Sequence, residues 1–273
     1  MRNRSLCTER PFMRQSRTRA RLANNEAVRI CCLGHFMPAF VRHAADSGFD
    51  CIWLDFEHRC WTDREIQAIL PLFHLYDIDC LLRVPTTEKT RLYRYLEDGA
   101  TGLMVPHVST VEAARELVES VKFPPIGNRG LDAAGLDCDF SLPVHVEYVR
   151  EANEQTMLVV QIETPEAVEN VEAIAALEGV DGLFIGPGDL GMRLALDETT
   201  EMTVESATER VASAAAAAGK AWGRPAATEL MGPLFDQGAR LLAHGGDFGA
   251  IMDHLRECGS HFDDLAAGAV ANS

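Results

Sequence analysis

Gln161-Ile-Glu163 closes one apolar run of the chain, and Gly186-Pro-Gly-Asp189 follows another. If both runs are strands of one sheet, Glu163 and Asp189 could hold one hard cation between two carboxylates, with water and substrate completing the shell as Mg²⁺ and Mn²⁺ prefer. The same two acids could instead cap the helices that follow them. Other polar residues end further runs: Asp55-Phe-Glu57-His58, Arg83 and His244-Gly-Gly-Asp247. Side chains alternate along a strand, so Asp55 and Glu57 share a face, as do Gln161 and Glu163. A bound cation is an electron sink, an arginine adds a fixed positive charge, and a histidine near its reference pKa can move a proton at neutral pH.

These groups can act together only if their runs converge. Short apolar runs alternate with helical patterns eight times, at Val28–Leu33, 51–57, 80–84, 102–106, 157–163, 182–187, Ala221–Pro225 and 239–244. Near-continuous apolarity is what strands buried on both faces of a parallel sheet require. Between them, Thr62-Asp-Arg-Glu65 and Ser109-Thr-Val-Glu112 match capping boxes, and Thr164-Pro165 reads as an N-cap followed by proline at the first helical position. An alanine-rich helix over 205–218 ends before Gly219. The gap 108–156 holds a helix, a loop over 123–142 and a second short helix. The pattern predicts one (β/α)8 TIM barrel over 16–273, preceded by a loosely packed tail over 1–15. In such a barrel the polar strand ends meet at one mouth.

The chain has 273 residues and a formal net charge of −16, which disfavours nucleic acid and anionic membrane as partners. No stretch is long enough to span a membrane. The seven arginines of the first 21 residues have no apolar region beside them, so they are not read as a secretory signal. The eight cysteines show no C-x-x-C spacing, and reduced thiols in a cytoplasmic protein are expected. Only Lys89, Lys122 and Lys220 could form a Schiff base; the first falls in a helix and the others precede strands, away from the mouth.

Several blocks resemble the HpcH/HpaI family of pyruvate-dependent class II aldolases, within the phosphoenolpyruvate/pyruvate superfamily. They are Gly48-Phe-Asp-Cys-Ile-Trp-Leu-Asp-Phe-Glu-His58, Leu82-Arg-Val-Pro85, Asp98-Gly-Ala-Thr-Gly-Leu-Met-Val-Pro106, Phe123-Pro-Pro-Ile-Gly-Asn-Arg-Gly130, Gln161-Ile-Glu-Thr164 and Gly182-Leu-Phe-Ile-Gly-Pro-Gly-Asp-Leu190. They keep the family's order over roughly residues 25–250. The resemblance implies cleavage of a 4-hydroxy-2-oxo acid to pyruvate and an aldehyde, or the reverse, with Mg²⁺ or Mn²⁺ and with Co²⁺ a third candidate. It implies Glu163 and Asp189 as metal ligands, His58 as base, and Arg83 at the keto oxygen. Asp55 would hold metal-bound water, Gln161 would line the pocket, and the Gly188-Asp189 turn would receive the substrate carboxylate. Glu97 stands where the family usually has an aspartate that orients the base, and Gly191 and Gly246 stand where serines are common. The resemblance also implies a hexamer built from dimers, the last helix, around 251–270, being exchanged between subunits.

Arg129, in the long loop, is a further candidate for the substrate. His107 reads as a structural histidine and Asp247 as a helix cap; His74, His145, His254 and His261 read as surface or helix-face residues. Gly186–Gly191 formally matches G-x-G-x-x-G, but it follows the sixth run and carries Pro187, so a dinucleotide site is set aside. The rival readings are a citramalyl- or malyl-CoA lyase-like enzyme, which would want a dense basic patch at the mouth, and a catalytically silent barrel that binds metabolites.

Overall fold

Eight parallel strands close on themselves in sequence order. They are β1 (Val28–Leu33), β2 (Cys51–Asp55), β3 (Asp79–Arg83), β4 (Gly102–Val105), β5 (Met157–Ile162), β6 (Gly182–Ile185), β7 (Ala221–Pro225) and β8 (Leu241–Gly246). The computed structural model describes residues 11–141 and 146–271. His145 of the sequence reading lies outside them, as does Cys7. The helices are α1 (Arg17–Ala23), α2 (Pro38–Asp46), α3 (Asp63–Leu75), α4 (Lys89–Glu97), α5 (Val111–Val121), α6 (Val146–Gln155), α7 (Pro165–Glu169), α8 (Val171–Ala175), α9 (Pro187–Leu196), α10 (Val204–Ala218), α11 (Thr228–Asp236) and α12 (Asp247–Ala271). The expected (β/α)8 barrel is thus the fold.

Two apolar layers hold it. Val28, Ile30, Cys51, Leu81, Met104, Val159, Phe184 and Leu241 fill the barrel, while a larger cluster packs the helices on the outer strand faces. A barrel interior filled this way is a packed core, so chemistry is confined to the loops at its C-terminal face.

Local chemistry sets where the elements stop. Strand β2 ends at Asp55 rather than at 57, because the Asp55 carboxylate accepts the backbone N–H groups of Glu57 and His58 at 3.2 Å each and turns the chain. Strand β4 ends before Pro106, which has no N–H to give a ladder. The Thr62–Glu65 capping box is present, and Gly219 ends α10 at φ +65°. Thr164 caps α7 as expected, but α5 is capped by Thr110, one residue later than the sequence spacing predicts.

The N-terminal face is closed by residues that the sequence assigns to a loose tail. Phe12 N–H donates to Glu151 at 2.8 Å, and Met13 is buried. Arg14 pairs with Asp79, whose carboxylate also accepts from Ser16 Oγ at 2.6 Å and Thr18 N–H at 2.7 Å. Nearby, Asp181 is paired with Arg19 at 2.6 Å and with Lys122 at 2.8 Å. Lys122 is fully buried here, with burial pulling its pKa below the usual lysine range. It therefore lies at the end of the barrel away from the mouth, as its sequence position predicts.

Among the described residues, no helix is long and apolar enough to cross a membrane.

Candidate active site

Arg83 is the anchor of the mouth. It is the last residue of β3, 7% exposed, and its neighbour on β2 in register is Asp55. Its Nε donates to Asp55 Oδ1 at 3.1 Å, while Nη2 lies 2.9 Å from Asp55 Oδ2 and Nη1 lies 3.2 Å from Glu57 Oε2. The guanidinium sits 4.6 Å over the Trp53 ring. A planar fork held by one hydrogen bond and two further carboxylate contacts has a set orientation and still has N–H groups to offer.

Glu57 joins the other groups. Its Oε2 is 3.5 Å from His58 Nε2, and its Oε1 is 3.3 Å from His107 Nε2. His107 reaches on to Glu163: ring Nδ1 and backbone N–H lie 2.9 and 2.7 Å from Oε1. To do so His107 takes φ +57°, a left-handed conformation rare outside glycine. Sequence reasoning gives Glu57 no site role, and it reads His107, which ends the fourth run beside Pro106 and could face the mouth, as structural. The alternation that puts Asp55 and Glu57 on one face was the available signal for Glu57, whereas the reach of His107 across two strands leaves no mark in the sequence.

Glu163 follows β5 and is 2% exposed. Burial raises its pKa, and nearby Glu57 and Asp189 add to the rise against the lowering effect of His107. Its other oxygen and Gln161 Nε2 lie close against Gly186, where a Cβ would sit 2.6 and 2.9 Å from them, so only glycine lets these side chains lodge there. Gln161 Oε1 is buried without a hydrogen-bond partner. Asp189 stands in the first turn of α9, whose N-cap, Gly186, supplies no side-chain cap. Space beside Gly188 is open. The helix therefore presents uncapped N–H groups at the mouth, suited to an anion.

Among the described residues, no three His, Cys, Asp or Glu side chains form a ready-made metal cluster. The oxygen donors present are nevertheless a fit for a hard cation: two neighbouring carboxylates, one of them already unfavourably charged, and an orphaned amide oxygen.

Two expected site residues are elsewhere. Glu97 ends α4, which runs back from the mouth, so it lies near the opposite end of the barrel and does not meet His58 within the subunit. It sits instead 4.0 Å from Arg129 Nη2, and burial pushes its pKa up to about 7. Arg129 is wholly buried there, 3.3 Å from Asp137 and over the Phe123 ring at 4.5 Å, with Tyr148 Oη donating to Asp137 at 2.7 Å. The loop carrying Arg129 follows α5, which also runs away from the mouth. Asp247 does more than cap a helix: it accepts from the N–H groups of Gly34 and His35 at 2.9 and 2.8 Å, and binds His35 Nδ1 at 2.6 Å. Burial alone would raise its pKa, but these bonds outweigh it and hold the carboxyl below the usual range.

A model of the family described as HpcH/HpaI aldolase/citrate lyase matches residues 30–251. A 4-hydroxy-2-oxovalerate aldolase of Rhodococcus jostii (strain RHA1) is 36% identical over 209 residues, covering 76% of this chain and 78% of that protein. A hydroxypyruvate/pyruvate aldolase of Pseudomonas aeruginosa is 34% identical over 264 residues, covering 94% and 97%. In three dimensions, the crystal structure of an HpcH/HpaI aldolase from Desulfitobacterium hafniense DCB-2 superposes with a TM-score of 0.82 at 32% identity, over 89% of this chain and 95% of that one.

Proposed function

Because the chain belongs to the HpcH/HpaI aldolase/citrate lyase family and resembles members named as aldolases, we propose that it cleaves a 4-hydroxy-2-oxo acid to pyruvate and an aldehyde, or joins them, with a divalent cation. The carrying observation is the contact chain His58–Glu57–Arg83, continued through His107 to Glu163, all at one mouth. In this reading Glu163 and Asp189 hold Mg²⁺, Mn²⁺ or Co²⁺. The cation when bound supplies a Lewis acid worth several kcal/mol of charge stabilisation.

The chain's own residues do the rest. The uncapped N–H groups of Gly188 and Asp189 receive the carboxylate of the 2-oxo acid. Arg83, held by Asp55 and Glu57, aims its remaining N–H groups at the keto oxygen and stabilises the enolate that cleavage leaves. Gln161 turns its unpartnered oxygen to the same pocket. His58 takes the proton of the C4 hydroxyl, with Glu57 3.5 Å from its Nε2. Asp55 acts by fixing Arg83.

The barrel domain is taken to begin near residue 12, where packing starts. The assembly is proposed to be a hexamer built from dimers that exchange α12, in a cytoplasmic setting. In support of the exchange, α12 leaves Ile251, Leu255, Phe262 and Leu265 exposed. Spacing of three, four and seven residues makes these one apolar stripe.

The test is a panel of 4-hydroxy-2-oxo acids supplied with Mg²⁺ or Mn²⁺ and assayed for released pyruvate. Release that stops in excess chelator and returns with added cation is expected, and Glu163→Gln or Asp189→Asn should raise the cation concentration needed. No release across the panel, or full activity in chelator, overturns the reading.

A further inference from the structure

In a ring of eight strands, β1 and β2 stand opposite β5 and β6, and β8 adjoins β1, so the loops after β1 and β2, with the start of α12 beside them, line the side of the mouth away from Glu163. On that side the structure builds a platform. The Phe248 ring stacks on the His35 imidazole at 5.6 Å with an interplanar angle of 6°, and Asp247 fixes His35. Arg59 lies over the same Phe248 ring at 5.3 Å and donates from Nη1 to the His58 carbonyl at 3.1 Å. Its stem crosses Gly34 so closely that a Cβ there would sit 2.8 Å from Nε.

Arg59 is exposed, and among the described residues no carboxylate pairs with it. This is unexpected in a chain with 41 acidic residues against 25 basic ones, where an arginine is readily neutralised. Among the described residues, only one of its five N–H donors has a protein acceptor. Its charge is also felt inside the barrel: burial pushes the thiol of Cys32 on β1 up, and both Arg83 and Arg59 oppose that rise.

Building on the aldolase reading, we propose that Arg59, seated on Phe248 and His35, determines specificity by binding an anionic group at the far end of the aldehyde half of the substrate. The 2-oxo acid half is occupied by groups on β3, β5 and α9. The aldehyde half begins at the carbon whose hydroxyl His58 deprotonates, and His58 is the chain neighbour of Arg59. A substituent leaving that carbon away from the cation side therefore meets the guanidinium first. Carboxylate and phosphate both suit a guanidinium fork. The preferred substrates are then 4-hydroxy-2-oxo acids with a second anionic terminus.

The experiment is aldol condensation of pyruvate with pairs of aldehydes of equal length, one ending in a methyl or hydroxymethyl group and its mate in a carboxylate or a phosphate. The wild-type protein, loaded with Mn²⁺, should favour the anionic mate in kcat/KM, and the better of the two anions identifies the group. Arg59→Ala should lower the anionic-to-neutral ratio by about 10–100-fold, the worth of one charge-assisted contact. Arg59→Lys should restore part of the ratio. A merely structural Arg59 would slow both mates alike and leave the ratio unmoved, which would overturn the proposal. So would a wild-type protein that condenses both mates equally well. If neither mate of any pair is condensed, the aldolase reading fails and this inference with it.

Discussion

Replacing Glu97 with glutamine should change how stability depends on pH, by an amount that follows from its burial. The residue is 9% exposed beside Arg129 and Asp137, and its pKa rises from 4.5 to about 7 because burial disfavours the carboxylate. Between those two values the unfolded chain has lost the proton while the folded chain keeps it. The proton thus contributes stability that is fully present below the unfolded pKa and is lost as pH rises through the folded one. Each pKa unit corresponds to about 1.4 kcal/mol, so between pH 5 and pH 8 this group should cost the wild-type protein about 2–3 kcal/mol. Glutamine has the shape of the neutral acid and carries no such dependence. Urea unfolding of both proteins at half-unit pH intervals isolates the effect, since other titrating groups cancel in the difference. The variant should gain on the wild type by that amount as pH rises, most of it between pH 5 and 7. A difference that stays flat across the range, or that grows in the opposite direction, refutes the placement of Glu97 in a desolvated pocket.

Arg83→Lys replaces a fork that makes three carboxylate contacts with a single ammonium that can keep one. Turnover should fall by roughly 10²–10³-fold while circular dichroism is unchanged, and near-normal turnover would remove Arg83 from the reacting oxygen. Asp79→Ala leaves the half-buried Arg14 without its charge partner and orphans Ser16 Oγ and Thr18 N–H. A loss of about 3–5 kcal/mol is expected in denaturant unfolding, the scale for breaking a buried pair from one side, and a loss under 1 kcal/mol would show that the N-terminal clasp is not a structural element.

The barrel was legible because strands covered on both faces must be apolar throughout, and eight such runs stand out from amphipathic helices. Their ends were legible to about two residues, and the misses have causes: Asp55 bends its own backbone, and Pro106 cannot continue a ladder. Asp55, Arg83, Gln161, Glu163 and Asp189 could be placed at the mouth because each ends a strand or opens the turn after it. Glu97 and Arg129 do not reach the mouth of their own barrel, because α4 and α5 run away from it and what ends them lies at the far face. Glu57 was visible beside Asp55 but had no evident partner, since its contacts with Arg83 and His107 come from two other strands. The packing of Phe12 and Met13 was hidden in a segment that looked too basic to fold.

Closing the barrel also sets a schedule. Strand β1 pairs with β2 and β8, and the Asp247 carboxylate that clasps Gly34 lies 213 residues downstream of it. At the ribosome's roughly 5–20 residues per second, β1 waits about 10–40 s for its second neighbour. Through that interval the nascent chain carries a growing parallel sheet with two open edges, one at β1 and one at the newest strand, each a row of unpaired N–H and C=O groups. The N-terminal clasp cannot close it early, because Arg14 and Ser16 wait for Asp79 and Gln155, and Arg19 for Asp181. A chain released before Leu241 would carry a seven-stranded open sheet, and that unfinished form is the one to which a second chain could add a strand.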